Sequence, residues 1–216
     1  MGNRPMEVMT LGFLAGAQVN AGLPRRAIAT ARHADALAAD DPHGFPRLVS
    51  IFYLSLSLAE TGAYAEAIAT AREGLALNAV AANPLVAHTL NTALGVAYQG
   101  LLRPDEAQAA YREAATASTA LPGDPYADLV ETRFCAVDAL IGAWASAYTR
   151  ARAALARRDY RIQSVAHFAR CEETEAPARG GDADLAEEDL RRYDERTGAN
   201  RRHRVSYLRA SAAVAL

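Results

Sequence analysis

Hydrophobic positions in this chain recur at helical spacing, in short stretches made mostly of small residues. The clearest stretch covers residues 62–77, where Ala67, Ile68, Ala71 and Leu75 follow a glycine and form one apolar stripe. A stripe of this spacing is typical of a short amphipathic helix. The pattern therefore predicts a helix that begins just after the glycine.

The same stripe returns at an offset of forty residues. One set of equivalent positions is Ala27, Ala67, Ala107 and Ala147. Thirteen residues upstream of each lies a large apolar residue: Leu14, Leu54, Leu94 and Phe134. The turn between the two sets carries Gly22, Gly62 and Gly142, with Leu102 as the exception. Four copies in one register predict a helical repeat scaffold, because each unit needs its neighbours to bury its apolar face.

Each repeat is predicted to contain two helices separated by a turn that glycine or proline marks. Glycine suits the residue that ends a helix, and proline suits the first turn of the next one. The predicted helix pairs are 7–20 with 25–39, 47–60 with 64–78, 85–99 with 104–118, and 126–141 with 144–157. These pairs define repeats at about 7–40, 47–80, 85–120 and 125–158.

The register loosens after residue 158. The pattern there predicts a helix over 160–173, a polar loop over 174–182 and a helix over 184–196, which together form a degenerate fifth repeat at 160–196. A last helix over 201–216, within a segment from 200 to 216, is expected to cap the stack, as terminal repeats require. The chain is therefore predicted to be all-α, with residues 1–216 in one helical repeat domain.

These positions resemble the tetratricopeptide repeat (TPR) family. A large apolar residue followed by a small one, as in Leu54–Ser55, marks helix one, and small residues mark helix two. The second repeat carries Tyr64, Glu66, Ala67 and Ile68, close to the YxEAI of that family. The resemblance covers about residues 8–158 well and 160–196 weakly. The period of forty exceeds the usual 34 and is similar to that of bacterial ATP-dependent transcription regulators and peptide-sensing regulators.

The TPR resemblance implies a right-handed superhelix of antiparallel helix pairs, an α-solenoid, with the first helix of each pair lining a concave groove. The side chains expected to bind a partner there combine apolar and polar groups, as an amphipathic peptide or helix requires. They are Phe13, Asn20, Phe52, Tyr53, Leu56, Glu60, Thr89, Thr92, Val96, Gln99 and Arg133. The alternative for Phe52 and Tyr53 is that they only pack against neighbouring helices.

The charged residues exclude several kinds of site. The chain has a net charge of −2, and all 23 of its basic residues are arginine. Without lysine it cannot form a Schiff base, a P-loop or the lysine clamp by which some TPR proteins hold a carboxylate. Neither nucleic acid nor a membrane surface is an expected partner. No stretch is long enough to span a bilayer.

No residue pattern points to catalysis, a cofactor or a metal. Cys135 and Cys171 lie outside CxxC or CxxH patterns, and the histidines, at 33, 43, 88, 167 and 203, are scattered over different repeats. The acidic run 187–189 is expected to be a solvated helix face. The chain is therefore predicted not to be an enzyme and to need no cofactor.

The two ends of the chain leave alternatives open. Residues 4–17 faintly resemble a secretory signal, but Glu7, Gly12 and Gly16 interrupt the apolar run, and the segment fits the repeat register. We therefore expect it to be the first helix of a cytoplasmic protein. A cluster of arginines over 191–209 is interpreted as a solvated capping helix, with a phosphate contact or a further domain as alternatives.

The leading functional hypothesis is a non-catalytic scaffold that binds an extended or helical peptide in its groove, for example as the sensor of a bacterial regulatory system. A second hypothesis is a self-associating module that forms a homodimer. A third is an accessory domain of a transcription regulator or of an enzyme. Partner identity separates these hypotheses, and the sequence does not contain it.

Overall fold

A computed structural model of the chain describes residues 3–41, 44–124, 126–156, 174–180, 182–197, 208 and 210–215. Within these ranges every regular element is a helix. The predicted helix at 160–173 and most of the predicted capping helix lie outside the described residues. The fold class is all-α, as the sequence predicts.

The eight helices of the four predicted repeats are all present. They are α1 (Arg4–Asn20), α2 (Pro24–Leu37), α3 (Phe45–Glu60), α4 (Tyr64–Ala81), α5 (Pro84–Gly100), α6 (Pro104–Thr119), α7 (Ala127–Leu140) and α8 (Trp144–Ala156). Each end lies within three residues of its predicted position. α1 and α3 begin early because Pro5 and Pro46 fit the first turn of a helix, where no N–H group is needed.

The loop predicted over 174–182 is wrong, because residues 174–180 form a helix, α9, ahead of α10 (Ala183–Thr197). A contact within α9 and one with α8 stabilise it despite its proline and glycine. Glu175 is buried and accepts a hydrogen bond from Arg179 Nε at 2.9 Å, and the Arg179 guanidinium lies 4.7 Å from the ring centroid of Trp144 in α8. Sequence periodicity does not report such contacts.

The chain divides into two compact units, residues 1–124 (unit 1) and 125–216 (unit 2). In unit 1 each helix packs against the other helix of its pair, and α3 packs against both α1 and α5. In unit 2, α7 packs against α8. The described residues therefore form an α-solenoid of consecutive helix pairs, and the assignment of the whole chain to one domain stays a prediction.

The second helices bury the same positions in every repeat, which confirms the forty-residue register. Each of them turns small side chains to the core at intervals of three or four residues. These positions are Ala27, Ala31, Ala34 and Ala38; Ala67, Ala71, Gly74 and Asn78; Ala107, Tyr111, Ala114 and Ser118; and Ala147 and Ala151. Small side chains let the two backbones of a pair approach closely.

The third repeat departs from this pattern through a matched exchange of sizes. Tyr111 replaces the alanine of the other repeats and is fully buried. Its ring lies against Gly95, where an added Cβ would come within 2.1 Å of the ring. The equivalent residue of the second repeat is Ser55, whose hydroxyl donates to the Ala67 carbonyl at 2.8 Å. A large side chain on one helix thus requires a glycine on the other.

A buried polar side chain near the end of the second helix fixes the connection to the next repeat. Asn78 donates from Nδ2 to the Asn83 carbonyl at 3.0 Å and accepts from the Asn83 N–H at 3.2 Å. Asn83 in turn caps α5 by accepting from Leu85 N–H at 3.0 Å. In the third repeat, Ser118 occupies the same position and its hydroxyl donates to the Asp124 carboxylate.

Leu14 differs from its equivalents in the later repeats of unit 1. Its side chain is 46% exposed, whereas Leu54 and Leu94 are each 7% exposed. Leu54 of α3 belongs to a core cluster that includes Ala15, Val19, Ala27 and Ala31 of the preceding repeat, and α5 likewise follows a repeat of unit 1. No described helix precedes α1, so the same residue type at the same register position stays exposed.

The turns within the helix pairs require a left-handed residue. Gly22, Gly62 and Gly142 have φ values of 72°, 85° and 78°. In the third repeat this position is Leu102, with φ of 57° and 70% of its surface exposed. A side chain at such a φ is strained, because its Cβ crowds the following carbonyl group.

We predict that Ala67→Leu lowers the melting temperature while Ala65→Leu leaves it nearly unchanged. Ala67 and its equivalent Ala107 are fully buried, whereas Ala65 is exposed on the same helix. Overpacking a close helix contact costs about 1–3 kcal/mol. Thermal unfolding followed by circular dichroism measures the difference, and equal effects of the two substitutions would contradict the register.

We also predict that Leu102→Gly raises the free energy of unfolding by about 1 kcal/mol, since glycine adopts a positive φ without strain. Leu102→Ala is the control, because it removes the exposed leucine side chain but keeps the strained Cβ. Urea denaturation of the three proteins gives the comparison. A glycine variant no more stable than the alanine variant would show that Leu102 is unstrained.

Candidate functional site

The candidate site is the side of the first helices α1, α3 and α5 on which the predicted partner-binding residues of unit 1 lie; we call it the first-helix face. Four of those residues, Phe52, Tyr53, Leu56 and Val96, pack against the same core cluster, which includes Ala93 and Ala97. The structure therefore brings α3 and α5 together at this face. Phe13 and Asn20 belong to α1, and both are exposed.

Phe52 and Tyr53 form the aromatic centre of the face. Their ring centroids are 4.6 Å apart, with the planes tilted by 50°, and both side chains are partly buried. Tyr53 also lies against Gly16 of α1, where an added Cβ would come within 2.4 Å of the tyrosine ring. The packing against neighbouring helices that the sequence left as an alternative is thus present, and it holds both rings in position at the surface.

The other predicted residues of unit 1 differ in how much surface they offer. Leu56 and Thr92 are 7% and 5% exposed, and Thr92 donates its hydroxyl to the His88 carbonyl at 2.9 Å. Thr89 and Gln99 are partly buried, and Gln99 accepts a hydrogen bond from Tyr111 Oη at 3.1 Å. Glu60 is exposed at the end of α3. Contact of any of them with a partner stays a prediction.

The first-helix face is almost free of charge. Residues 8–20, 48–59 and 84–100 contain no aspartate, glutamate, lysine or arginine. The ion pairs of unit 1 involve the second helices, the first turns of α1 and α3 and the adjoining loops, as in Arg32 with Glu66 at 2.5 Å and Arg47 with Asp35 at 2.8 Å. A partner of this face therefore meets apolar groups, hydroxyls and amides.

The first helix of the fourth repeat, α7 in unit 2, has a different character. The predicted site residue Arg133 is partly buried there, on the helix that also carries Glu131 and Asp138. Arg150 of α8 donates to Glu131 at 2.8 Å and to Asp138 at 3.0 Å, and Ser146 donates to Asp138 at 2.6 Å. Sequence reasoning did not identify this network. The one indication in the sequence is that Glu131 and Asp138, seven residues apart, lie on the same side of a helix.

Unit 1 also contains two surface clefts that the sequence did not indicate. One, of about 160 Å³, is lined by Arg4, Pro5, Val8, Leu37, Ala38, Asp40, Asp41, Pro46 and Arg47. The other, of about 470 Å³, lies beside the first turn and is lined by Gly22, Leu23, Pro24, Arg25, Arg26, Glu60 and Thr61. Both are at the ends of helices, away from the Phe52–Tyr53 pair.

Two kinds of site are absent from the part of the chain that the structure describes. Those residues include no group of three or more histidine, cysteine, aspartate or glutamate side chains arranged to hold a metal ion. None of the described helices combines the length and apolar character needed to cross a membrane.

Of the two histidines that the structure describes in unit 1, His88 is buried in the core and His33 is exposed. The His88 side chain is 1% exposed, and Nδ1 lies 3.0 Å from the Ala114 carbonyl oxygen. Because a carbonyl only accepts, Nδ1 carries the proton. Burial lowers the pKa of His88, although this hydrogen bond and the charge of Asp124 act in the opposite direction. The imidazole is therefore neutral in the folded protein at neutral pH.

Comparison with known proteins identifies the fold. The structure is similar to the crystal structure of TTC0263, a thermophilic TPR protein of Thermus thermophilus, with a TM-score of 0.69 and 18% identity over 98% of this chain and 100% of that one. It is also similar to two crystal structures of nearly identical TPR-like repeats, named as those of a putative kinesin light chain of Podosopora anserina. Their TM-scores are 0.63 and 0.62 and their identities 16% and 17%, over 90% of this chain and 96% of each of theirs.

No family model matches the sequence, and no curated protein is significantly similar to it. The structural similarity nevertheless shows that the fold is that of a TPR-type helical repeat protein, as the sequence resemblance implies. Helical repeats of this class generally present extended surfaces to other proteins and have no catalytic role of their own.

We predict that unit 1 loses stability below about pH 6.5 because of His88. The unfolded histidine takes up a proton near pH 6.5, whereas the folded one, with its lowered pKa, resists protonation. The contribution of His88 to stability is therefore fully present above pH 6.5 and falls by up to about 1.4 kcal/mol per pH unit below it.

Urea denaturation at pH 7.5 and 5.5 tests this prediction, with His88→Leu as the matched variant, since leucine occupies the equivalent position 48. The variant should lose less stability than the natural protein between the two pH values. An identical loss would show that another group causes the acid sensitivity.

Proposed function

We propose that this protein is a non-catalytic interaction scaffold that binds an extended or helical peptide on its first-helix face. The observation that carries the proposal is the partly exposed Phe52–Tyr53 pair within first helices that have no charge over residues 48–59 and 84–100. Aromatic side chains held in place by packing lose little entropy on binding, which suits them as anchors.

The chemistry of the face suggests the kind of peptide. Phe52, Tyr53 and Val96 offer apolar contacts, and Thr89 and Gln99 offer hydrogen-bonding groups. An apolar segment with few charges would lose little on leaving water, whereas an acidic peptide would find no arginine within residues 8–20, 48–59 and 84–100 of these helices. The proposal therefore excludes recognition of a terminal carboxylate at this face.

The biological role is proposed on the TPR resemblance and the forty-residue period. Both suit the sensor or scaffold part of a bacterial regulatory system, acting in the cytoplasm. An accessory domain of a transcription regulator is an alternative with the same binding face. A self-associating module is a second candidate, favoured by the exposed apolar residues on α1.

Peptide selection tests the proposal directly. A phage-displayed library of peptides of about 15 residues is screened against the full chain, and selected peptides are measured by fluorescence polarisation. We expect apolar sequences to be enriched, with affinities nearly independent of salt because residues 48–59 and 84–100 of the face carry no charge. Failure to select any peptide, or selection of strongly acidic ones, would contradict the proposal.

We predict that Tyr53→Ala weakens binding of a selected peptide about 30-fold, the equivalent of about 2 kcal/mol for an aromatic anchor. Ile68→Ala is the matched control, because Ile68 is also partly buried against the same core cluster but belongs to the second helix α4. Both variants lose packing, so a loss of binding in both would indicate general destabilisation and would contradict an anchoring role for Tyr53.

A further inference from the structure

The outer side of α1 is an uncovered apolar stripe. Met6, Thr10, Phe13, Leu14 and Ala17 share this side by helical spacing, and all five are exposed. Met6 and Phe13 are 60% and 56% exposed. The opposite side of the helix, with Val8, Gly12, Ala15, Gly16 and Val19, is buried. We call the five exposed residues the α1 stripe.

The repeat register indicates what kind of group fits the α1 stripe. Leu14 is equivalent to Leu54 and Leu94, which neighbouring helices of unit 1 reduce to 7% exposure. The side of a first helix that carries this residue is therefore built to pack against another helix. On α1 no described helix does so.

Charged side chains lie at both ends of the α1 stripe. Glu7 stands near its start, and Arg25 and Arg26 begin α2 just beyond its end. All three are exposed, and they form no ion pair with any other described residue. By contrast, Arg4 and Arg32 of the same repeat pair with Asp40 and Glu66 at 2.6 and 2.5 Å.

This arrangement is complementary to itself. If two copies of α1 cross near Phe13 and Leu14 in antiparallel order, position 7 of each lies opposite position 20 of the other, at the end of the helix. Glu7 of one copy then faces the turn that leads into Arg25 and Arg26 of its partner. Both charge contacts form at once, because a two-fold axis presents the same patch on both sides.

We propose that the α1 stripe is a homodimer contact, in which the α1 helix of a second copy of this chain packs antiparallel across it. The apolar residues form the centre of the contact and the two Glu7–arginine contacts flank it. This surface lies on the outer side of α1. It shares Phe13 with the first-helix face but does not include the aromatic pair Phe52 and Tyr53.

The size of the stripe sets the expected strength. α1 has 17 residues and is therefore about 25 Å long. A contact one helix wide, of about 10 Å, covers roughly 250 Å² on each copy, well below the roughly 800 Å² per partner of a stable interface. The dimer is therefore reversible, with a dissociation constant between about 10 μM and 1 mM.

Sedimentation equilibrium of the full chain, from about 5 μM to 1 mM, tests the proposal. The weight-average mass should rise from the 23.0 kDa of one chain toward twice that value. A mass that stays at 23.0 kDa over the whole range would overturn it, and would indicate that another protein covers the stripe.

Variants identify the surface. Ala17→Glu, within the stripe one turn after the crossing point and outside the predicted groove, should weaken self-association at least tenfold without unfolding the helix, which circular dichroism confirms. Val80→Glu is the matched control, because Val80 is 72% exposed at the end of α4 in the same unit. Self-association that survives Ala17→Glu, or that Val80→Glu abolishes equally, would overturn the proposal.

Charge reversal tests the antiparallel order. Glu7→Arg alone, and Arg25→Glu with Arg26→Glu, should each weaken the dimer several-fold, because like charges then face each other. The three substitutions together should restore the dissociation constant to within about threefold of the natural value. A triple variant no better than the others would show that Glu7 and these arginines do not meet. None of these measurements uses a peptide, so they are independent of the proposed groove function.

Discussion

The close approach of the two helices in each pair is the constraint on which the rest of the structure depends. It requires small side chains at the crossing, and these recur every forty residues as Ala27, Ala67, Ala107 and Ala147. Where one helix carries a large side chain, its neighbour must give space: Gly95 does so for Tyr111 within the third pair, and Gly16 of α1 does so for Tyr53 in the first helix of the next repeat. Alanine supplies little buried area by itself, so stability depends on adding repeats.

A core of small residues leaves the larger side chains at its edge. Phe52, Tyr53 and Val96 pack against the alanine cluster without being enclosed by it. Charged residues are then displaced to the second helices and the ends of the helices, because a charge at a close helix contact would lose its water. The neutral, aromatic character of the first-helix face is thus a consequence of how the repeats pack.

Unit 2 uses polar contacts where unit 1 uses apolar ones. Arg150 joins α8 to Glu131 and Asp138 of α7, and Arg179 connects Glu175 with the ring of Trp144. Partly exposed ion pairs contribute little to stability, typically about 0–1 kcal/mol, because water screens them. Their main effect is to fix which side chains lie together, as in α9, where buried Glu175 pairs with Arg179 one turn later.

The sequence by itself determined the eight helices of the repeats, the forty-residue register and the buried alanines. These depend on local information: apolar residues at helical spacing, and glycine or proline at the turns. The tertiary structure decided which equivalent residues are covered. Leu14 is exposed where Leu54 is not, Leu56 and Thr92 are buried within the predicted groove, and residues 174–180 are helical rather than a loop. Exposure depends on which helix lies next to a residue, and residues far apart along the chain determine that.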